Sequence, residues 1–277
     1  MNILWLGEAG CHDRGLVGGK AAYLSQLAAD HPVPPGFCLP ATTGSLAELT
    51  AAYAELAARS ARPEPPVAVR SSAVDEDGAG ASFAGQHETY LNITGPDAVA
   101  EAIARCRASA SAPRALAYRR VHGLPAPQAR VAVLVQQLVV ADVSAVAFSA
   151  NPVTGDRDQV VITASWGLGE SIVGGTVTPD TYHLGKPGLA ITRTEIATKE
   201  RMTVAIPGGT REVAIPRALR TRPALSPEQV VDVGRLALRL EAQFGWPVDI
   251  ECACAAGRLY LLQCRPITTL NAGSAAA

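Results

Sequence analysis

Aromatic side chains are scarce in this chain. Phe, Trp and Tyr make up 5% of its 277 residues, too few for the stacking platforms that hold single-stranded nucleic acid. An excess of either charge is also missing: 24 Lys and Arg against 25 Asp and Glu leave a formal net charge of -1. That balance gives no electrostatic footprint for nucleic acid or for an anionic membrane surface. Long apolar runs are absent too. No stretch reaches the ~18 uninterrupted apolar residues of a membrane span. The most apolar region, Val131 to Ala150, is broken by Gln136, Gln137, Asp142 and Ser144. The start of the chain has no basic cluster followed by a long apolar run, so it does not read as a secretory signal. The expectation is no nucleic acid, no membrane and a cytoplasmic location.

Metal-ligand spacing is equally thin. The five histidines, at 12, 31, 87, 122 and 183, show none. Six cysteines occur, with Cys252-Ala-Cys254 and Cys264 close together. C-x-C is not a usual zinc spacing and has no His nearby, and on a strand residues 252 and 254 simply share a face. There is no nucleophile elbow, and Trp166-Gly-Leu-Gly-Glu170 lacks the third glycine of a dinucleotide fingerprint.

What is present is a large apolar fraction, 48%, enough for one large domain or two packed ones. Helices are predicted over Gly18 to Ala29, Ser45 to Arg59, Asp97 to Arg107, Pro113 to His122 and Ser226 to about Phe244, the last with Ser226 as N-cap and Pro227 at the first helical position. Between the first two lies His31-Pro-Val-Pro-Pro-Gly-Phe37, a rigid connector that cannot be helix. Strands are predicted over 67–70, 88–92, 131–140, 144–149 and 159–164, with a hairpin of 248–253 and 258–263 across Ala255-Ala-Gly257. The glycine-rich stretch Ser165 to Asp180 reads as mostly loop. The fold class is α+β (mixed α/β). Two subdomains, 1–128 and 129–270, are expected to meet near Pro125-Ala-Pro127, with a disordered tail over 271–277.

Three polar clusters could hold chemistry. On paired strands Asp249 and Glu251 project together, as do Gln263 and Arg265, so all four would converge on one face. Two carboxylates and an amide oxygen suit Mg²⁺, and the Arg would neutralise a phosphate oxygen. The same pattern also fits an exposed polar face on an edge hairpin. Gly18-Gly-Lys20 offers backbone N–H groups, a cation and a helix start, the parts of a phosphate cradle. It is not a Walker A loop, since Ala21 replaces the Ser or Thr. Arg70-Ser-Ser72 ends a buried strand, where ligands often bind, and the loop after it includes Ser82-Phe-Ala-Gly85-Gln86. An ordinary mobile loop fits those residues as well.

Taken in order, VGGKAAYLSQL, VPPGF, VAVRSSAVDED, ASFAGQHETYLN, VLVQQLV, SANPVTG, SWGLGESIVGGTVTPD and DIE…LYLLQCRPIT resemble the nucleotide-binding domain of phosphoenolpyruvate synthase and pyruvate phosphate dikinase, which rifamycin phosphotransferases share. The resemblance covers Leu4 to Leu270. It implies an ATP-grasp fold with ATP clamped between two subdomains. It places Lys20 and Arg70 on the phosphates, Ser82 to Gln86 with Gly85 as the loop over them, and Gln136, Leu138 and Val139 in the adenine-pocket segment. Glu251 and Gln263 match the Mg²⁺ ligands, Asp249 and Arg265 match their catalytic neighbours, and Glu170 becomes a pocket residue. The expected cofactors are ATP and Mg²⁺. In this family the β-phosphate goes to a histidine on a swivelling domain, and no matching histidine segment is found here. The expected partner is therefore a separate protein or domain carrying that phosphohistidine. Direct transfer to a small molecule, or nucleotide binding without catalysis, are the alternatives. Two departures stand out: the stretch between Phe37 and Val67 is shorter than the family's, and Cys252 stands where Trp is common.

Overall fold

The computed structural model describes residues 3–41, 45–73, 77–78, 81–82, 89–109, 112, 120 and 131–270. Most of the expected helix over 113–122, Gly85 with its neighbours 83–88, the side chain of Ser82, and the tail 271–277 lie outside the described residues. The chain divides into two compact units, Met1–Leu138 with Ile206–Thr210, and Val139–Ala205 with Arg211–Ala277. Among the described residues no helix is long and apolar enough to cross a membrane.

The first unit holds β1 (Leu4–Trp5), α1 (Arg14–Leu27), β2 (Gly36–Leu39), α2 (Leu46–Arg59), β3 (Val67–Ser72), β4 (Asp77–Gly78), β5 (Ala81–Ser82), β6 (Thr89–Ile93), α3 (Pro96–Ser109) and β7 (Ala132–Gln137). Five strands form an antiparallel sheet in the order β1-β2-β7-β3-β6. Strand side chains alternate, so Phe37, Leu39, Val67, Val69, Val133 and Val135 line one face. That face meets Leu49, Tyr53 and Leu56 of α2 and Val99, Ile103 and Cys106 of α3 in one buried cluster. Ser45 starts α2 with a capping box: its Oγ accepts from the Glu48 N–H at 3.3 Å and Glu48 accepts from the Ser45 N–H at 2.9 Å. Cys38 alternates with Phe37 and Leu39 and turns the other way, its thiol donating to the Val17 carbonyl of α1 at 3.7 Å. So α1 covers the opposite face. It also begins earlier than the helix predicted from Gly18, because the turn Arg14–Val17 continues into it across a break at Gly18. Gly36 and Phe37, the end of the predicted connector, pair as the start of β2.

The second unit holds β8 (Val143–Phe148), β9 (Gln159–Trp166), α4 (Glu170–Val173), β10 (Asp180–Gly185), β11 (Ala190–Glu195), β12 (Arg201–Ile206) and β13 (Gly209–Ala214) apart from Ile206–Thr210, α5 (Arg217–Arg220), α6 (Pro227–Phe244), β14 (Val248–Ala255) and β15 (Arg258–Pro266). Six strands form one antiparallel sheet in the order β11-β10-β9-β8-β14-β15. α6 runs beneath β14, β9 and β8. Its buried stripe, Val230, Val233, Leu236, Ala237 and Leu240, repeats at helical spacing. Ser226 caps it with Gln229 in a second capping box, and Gly245 ends it with φ 76°. The strand residues that face α6 are Ala145, Ala147, Ile162, Ala164, Tyr182, Ile250 and Cys252, all buried. Their neighbours in alternation form the opposite face.

Candidate functional site

In the first unit the Gly-Gly-Lys turn and the Arg-Ser-Ser strand end are stitched together. Lys20 Nζ donates to the Ser71 carbonyl at 3.1 Å, the Ala21 N–H donates to Ser72 Oγ at 3.0 Å, and the Gly19 N–H reaches the Ala73 carbonyl at 3.3 Å. Gly18 makes this approach possible. Its φ of 77° is left-handed, and a Cβ there would lie 2.0 Å from the Ser72 carbonyl oxygen. Lys20 is buried, and Arg70, opposite Thr89 and Leu134 on β3, is half-buried. This corner brings Lys20 together with the strand that bears Arg70.

Gln136 and Leu138 close the first unit at the end of β7, and Val139 opens the second. The Gln136 side chain is fully engaged with its own unit, since it is 2% exposed and its Nε2 donates to the Pro34 carbonyl at 3.2 Å. Ser82 is placed by its backbone alone, paired with Asp77.

The second unit collects the four hairpin residues on the sheet face away from α6. Glu251 lies opposite Gln263, and Asp249 opposite Arg265. Across the sheet the Glu251 row continues through Val146, Thr163 and Thr181, and the Asp249 row through Phe148, Val161 and His183. This convergence depends on a β-bulge. From the turn outward the pairs are Ala255 with Arg258, Cys254 with Leu259, Ala253 with Tyr260 and Cys252 with Leu261. The next pair is Glu251 with Gln263, leaving Leu262 as the extra residue. A regular ladder would have set Leu262 opposite Glu251 and Gln263 opposite Ile250, which is fully buried toward α6. A one-residue slip turns every later side chain to the other face, and the bulge makes that slip.

Arg265 Nε donates to Asp249 Oδ2 at 2.8 Å, and Nη2 lies 2.8 Å from the same oxygen in an ion pair. Gln263 is 6% exposed and Glu251 is half-buried. A carboxylate and an amide oxygen side by side fit Mg²⁺, which keeps few protein ligands and completes its octahedron with phosphate oxygens and water. Among the described residues no group of three or more His, Cys, Asp or Glu side chains forms a cage by itself. Cys252, Cys254 and Cys264 are buried and free, and Cys252 and Cys264 point to the α6 side. Burial holds the Cys252 thiol well above its usual range, with neighbouring Cys254 and Cys264 adding to it. These thiols are packing groups.

Glu170 opens α4, a single turn inside the stretch predicted as mostly loop. A Cβ on the preceding Gly169 would lie 3.4 Å from the Ser144 side chain, which shares the face of Val146 and Glu251. Glu170 therefore enters its helix from that face. The Ser144 hydroxyl donates to the Gly167 carbonyl at 2.8 Å. Sequence reasoning passed over Asp180 and Lys199, a buried pair in this unit. The signal was there in composition: the chain has only three lysines, 20, 186 and 199.

Residues 44–277 match the family described as pyruvate phosphate dikinase, AMP/ATP-binding domain, and the chain belongs to that family. It is 35% identical to a probable phosphoenolpyruvate synthase of Methanocaldococcus jannaschii, over 98% of this chain and 27% of that protein. Identity is 42% to the phosphoenolpyruvate synthase of Pyrococcus furiosus, over 81% of this chain and 28% of that protein. It is 44% to a rifampicin phosphotransferase of Streptomyces sviceus, over 73% of this chain and 23% of that protein. The chain thus spans about a quarter of the length of these curated relatives. Among solved structures, a D-alanine–D-alanine ligase from Bacillus anthracis is a distant likeness, with TM-score 0.39 and 10% identity over 94% of this chain and 58% of that one. The mixed α/β architecture and the ATP-binding assignment expected from the motifs both stand.

Proposed function

We propose that this chain is the ATP-binding module of a phosphoenolpyruvate synthase-type phosphotransferase, passing a phosphoryl group from Mg-ATP to a histidine on a separate swivelling domain or protein. The observation that supports it best is the bulged hairpin that sets Glu251 beside Gln263 and Asp249 beside Arg265, in a member of an AMP/ATP-binding family. In this reading Glu251 and Gln263 hold Mg²⁺, which would offset charge on the phosphate oxygens. Lys20, Arg70 and Arg265 neutralise the triphosphate, because phosphoryl transfer needs positioning and charge compensation more than covalent help. Asp249 orients Arg265. Gln136, Leu138 and Val139 line the adenine pocket through their backbone, Glu170 borders the nucleotide, and Ser82 and Gly85 belong to the loop over the phosphates. Six buried free thiols suit a reducing, cytoplasmic setting.

In the proposed reaction, ATP, water and the partner's histidine give AMP, inorganic phosphate and phosphohistidine. Incubation with Mg-ATP labelled at the β-phosphate, with and without candidate histidine-domain partners, tests this. Label on the partner with AMP and phosphate released is the expected result. ADP as the sole nucleotide product would overturn it in favour of direct transfer to a small molecule, and binding without turnover under every partner would favour a nucleotide-binding role alone.

A further inference from the structure

Asp180 and Lys199 are both fully buried, an ion pair with Nζ 2.5 Å from Oδ1. The Asp180 carboxylate is saturated with donors. Oδ1 also accepts from the Ala197 N–H at 3.0 Å, and Oδ2 accepts from the Ala224 N–H at 2.8 Å and from the Tyr182 hydroxyl at 3.4 Å. Lys199 Nζ donates further to the Ala197 carbonyl at 3.1 Å, and its backbone N–H to the Arg220 carbonyl at 2.9 Å. Three distant segments meet on one pair of charges. Removing two charges from water is costly, and such a pair is not the cheapest way to fill a core. What the pair does do is fix which three segments meet.

Asp180 is where the glycine-rich segment ends and β10 begins. Lys199 stands two residues before β12, and the Thr203 carbonyl of β12 accepts the Leu168 N–H at 2.9 Å, at the start of that same segment. The chain from Leu168 to Asp180, the ion pair, the chain from Lys199 to Thr203 and the Leu168–Thr203 hydrogen bond therefore form a closed ring. Gly167 fits against it with φ 80°, where a Cβ would lie 2.5 Å from the Thr203 carbonyl oxygen. Inside the ring lie Gly169, Gly174 and Gly175, residues that leave a backbone unusually free unless it is tied. Also inside it is Glu170. A Cβ on Gly169 would lie 3.4 Å from the Ser144 side chain, and Ser144 is two residues from Val146 in the Glu251 row, so α4 starts about 7 Å along the strand from that row.

We infer that Lys199 is a positioning residue for Glu170, acting through this ring. The inference rests on the Mg-ATP reading for its functional consequence. Lys199 touches neither nucleotide nor metal in it; it fixes the one arrangement of a glycine-rich segment in which the Glu170 carboxylate meets the nucleotide. Opening the ring at either joint should then have the same effect as removing that carboxylate.

The test is a double-mutant cycle on the full chain. Lys199→Met opens the ring at the ion pair. Gly167→Ala opens it at Thr203 without touching a charge, and so serves if Lys199→Met fails to fold. Each single variant, and Glu170→Gln, should raise the KM for ATP about tenfold, the loss expected for one charged hydrogen bond, with a smaller effect on kcat. Combining Glu170→Gln with either ring variant should add nothing further, because the contact is already gone. A role in packing alone would leave the effects additive, and additive effects overturn the inference. Hydrogen exchange at the Leu168 amide reads the ring without nucleotide. Protection lost in Lys199→Met supports it, and unchanged protection overturns it. Failure of the wild-type chain to bind Mg-ATP would instead overturn the functional reading and leave the exchange result to decide the ring.

Discussion

Nε and Nη2 of Arg265 converge on a single oxygen, Oδ2 of Asp249, each at 2.8 Å. The Asp249 side chain is 8% exposed and that of Arg265 20%, so water screens the pair little. Removing one partner of a buried pair strands the other charge, which costs about 3 kcal/mol. Arg265→Ala should therefore lower both stability and Mg-ATP turnover. Arg265→Lys keeps the charge but loses the fork of donors, and should recover part of the stability and little of the turnover. Urea unfolding and nucleotide assays on the two variants check this; full activity in Arg265→Lys would contradict a role that needs the guanidinium.

Glu251 has a different sensitivity. It is half-buried on the sheet face, and its register with Gln263 and Val146 is set by backbone pairing. Glu251→Ala should leave the fold intact. Turnover should fall about 100- to 1,000-fold, the usual cost of one preorganised electrostatic contact in an active site. Circular dichroism and Mg²⁺-dependent activity measured together separate the two effects. Retained turnover would sink the metal assignment.

Deleting Leu262 probes the bulge. Without that residue Leu261 still faces Cys252 and Gln263 still faces Glu251, so the ladder becomes regular with the four polar side chains on their present face. The deletion should keep Mg²⁺-dependent binding of ATP, measured by calorimetry. Inserting one residue after Leu262 should instead drive Gln263 toward the buried side and abolish it. Equal loss in both variants would show that the bulge matters for more than register.

Local signals made much of this architecture readable in advance. The Ser226-Pro227 start and the 3.6-residue stripe of Val230, Val233, Ala237 and Leu240 define α6 within a residue, because capping and amphipathicity are properties of a short stretch. Alternation predicted that Asp249, Glu251, Gln263 and Arg265 share a face. It did so without the bulge, although a regular ladder from the turn at Ala256-Gly257 would have separated them. An extra residue in a strand leaves no mark on an apolar pattern. β11 escaped notice for the opposite reason: Thr192-Arg-Thr-Glu195 is almost wholly exposed on a sheet edge, so it has no buried alternation to detect. Asp180 and Lys199 lie 19 residues apart, and nothing local says that their charges meet in a core.

Gly18 offers a sharp stability test. Its φ of 77° is unfavourable for a side chain, and a Cβ would collide with the Ser72 carbonyl oxygen. Gly18→Ala should cost about 1–3 kcal/mol and should push Lys20 and the Arg70-Ser71-Ser72 strand end apart. ATP affinity should fall along with stability. Gly19→Ala makes the control, since Gly19 lies within α1 proper with no such φ. A similar loss in both variants, by urea unfolding and calorimetry, would argue against the special role of the break at Gly18.

The last prediction concerns alkaline pH. Burial, partly countered by a hydrogen bond from Ser25 and reinforced by Glu8, pushes the Cys11 thiol from its ordinary value of 9.0 up to about 11. A pKa raised on folding means that the native state holds the proton more tightly than the unfolded chain does. The stabilisation is complete below about 9 and is lost as the pH rises through about 11, because the unfolded chain ionises first. Cys38 shifts in the same direction, chiefly through burial and then through Cys11 beside it. The urea midpoint should fall between pH 9 and 11. Cys11→Ala should flatten part of that fall while leaving the midpoint at pH 7 lower or unchanged. An identical slope in the variant would mean that Cys11 does not titrate as its burial requires.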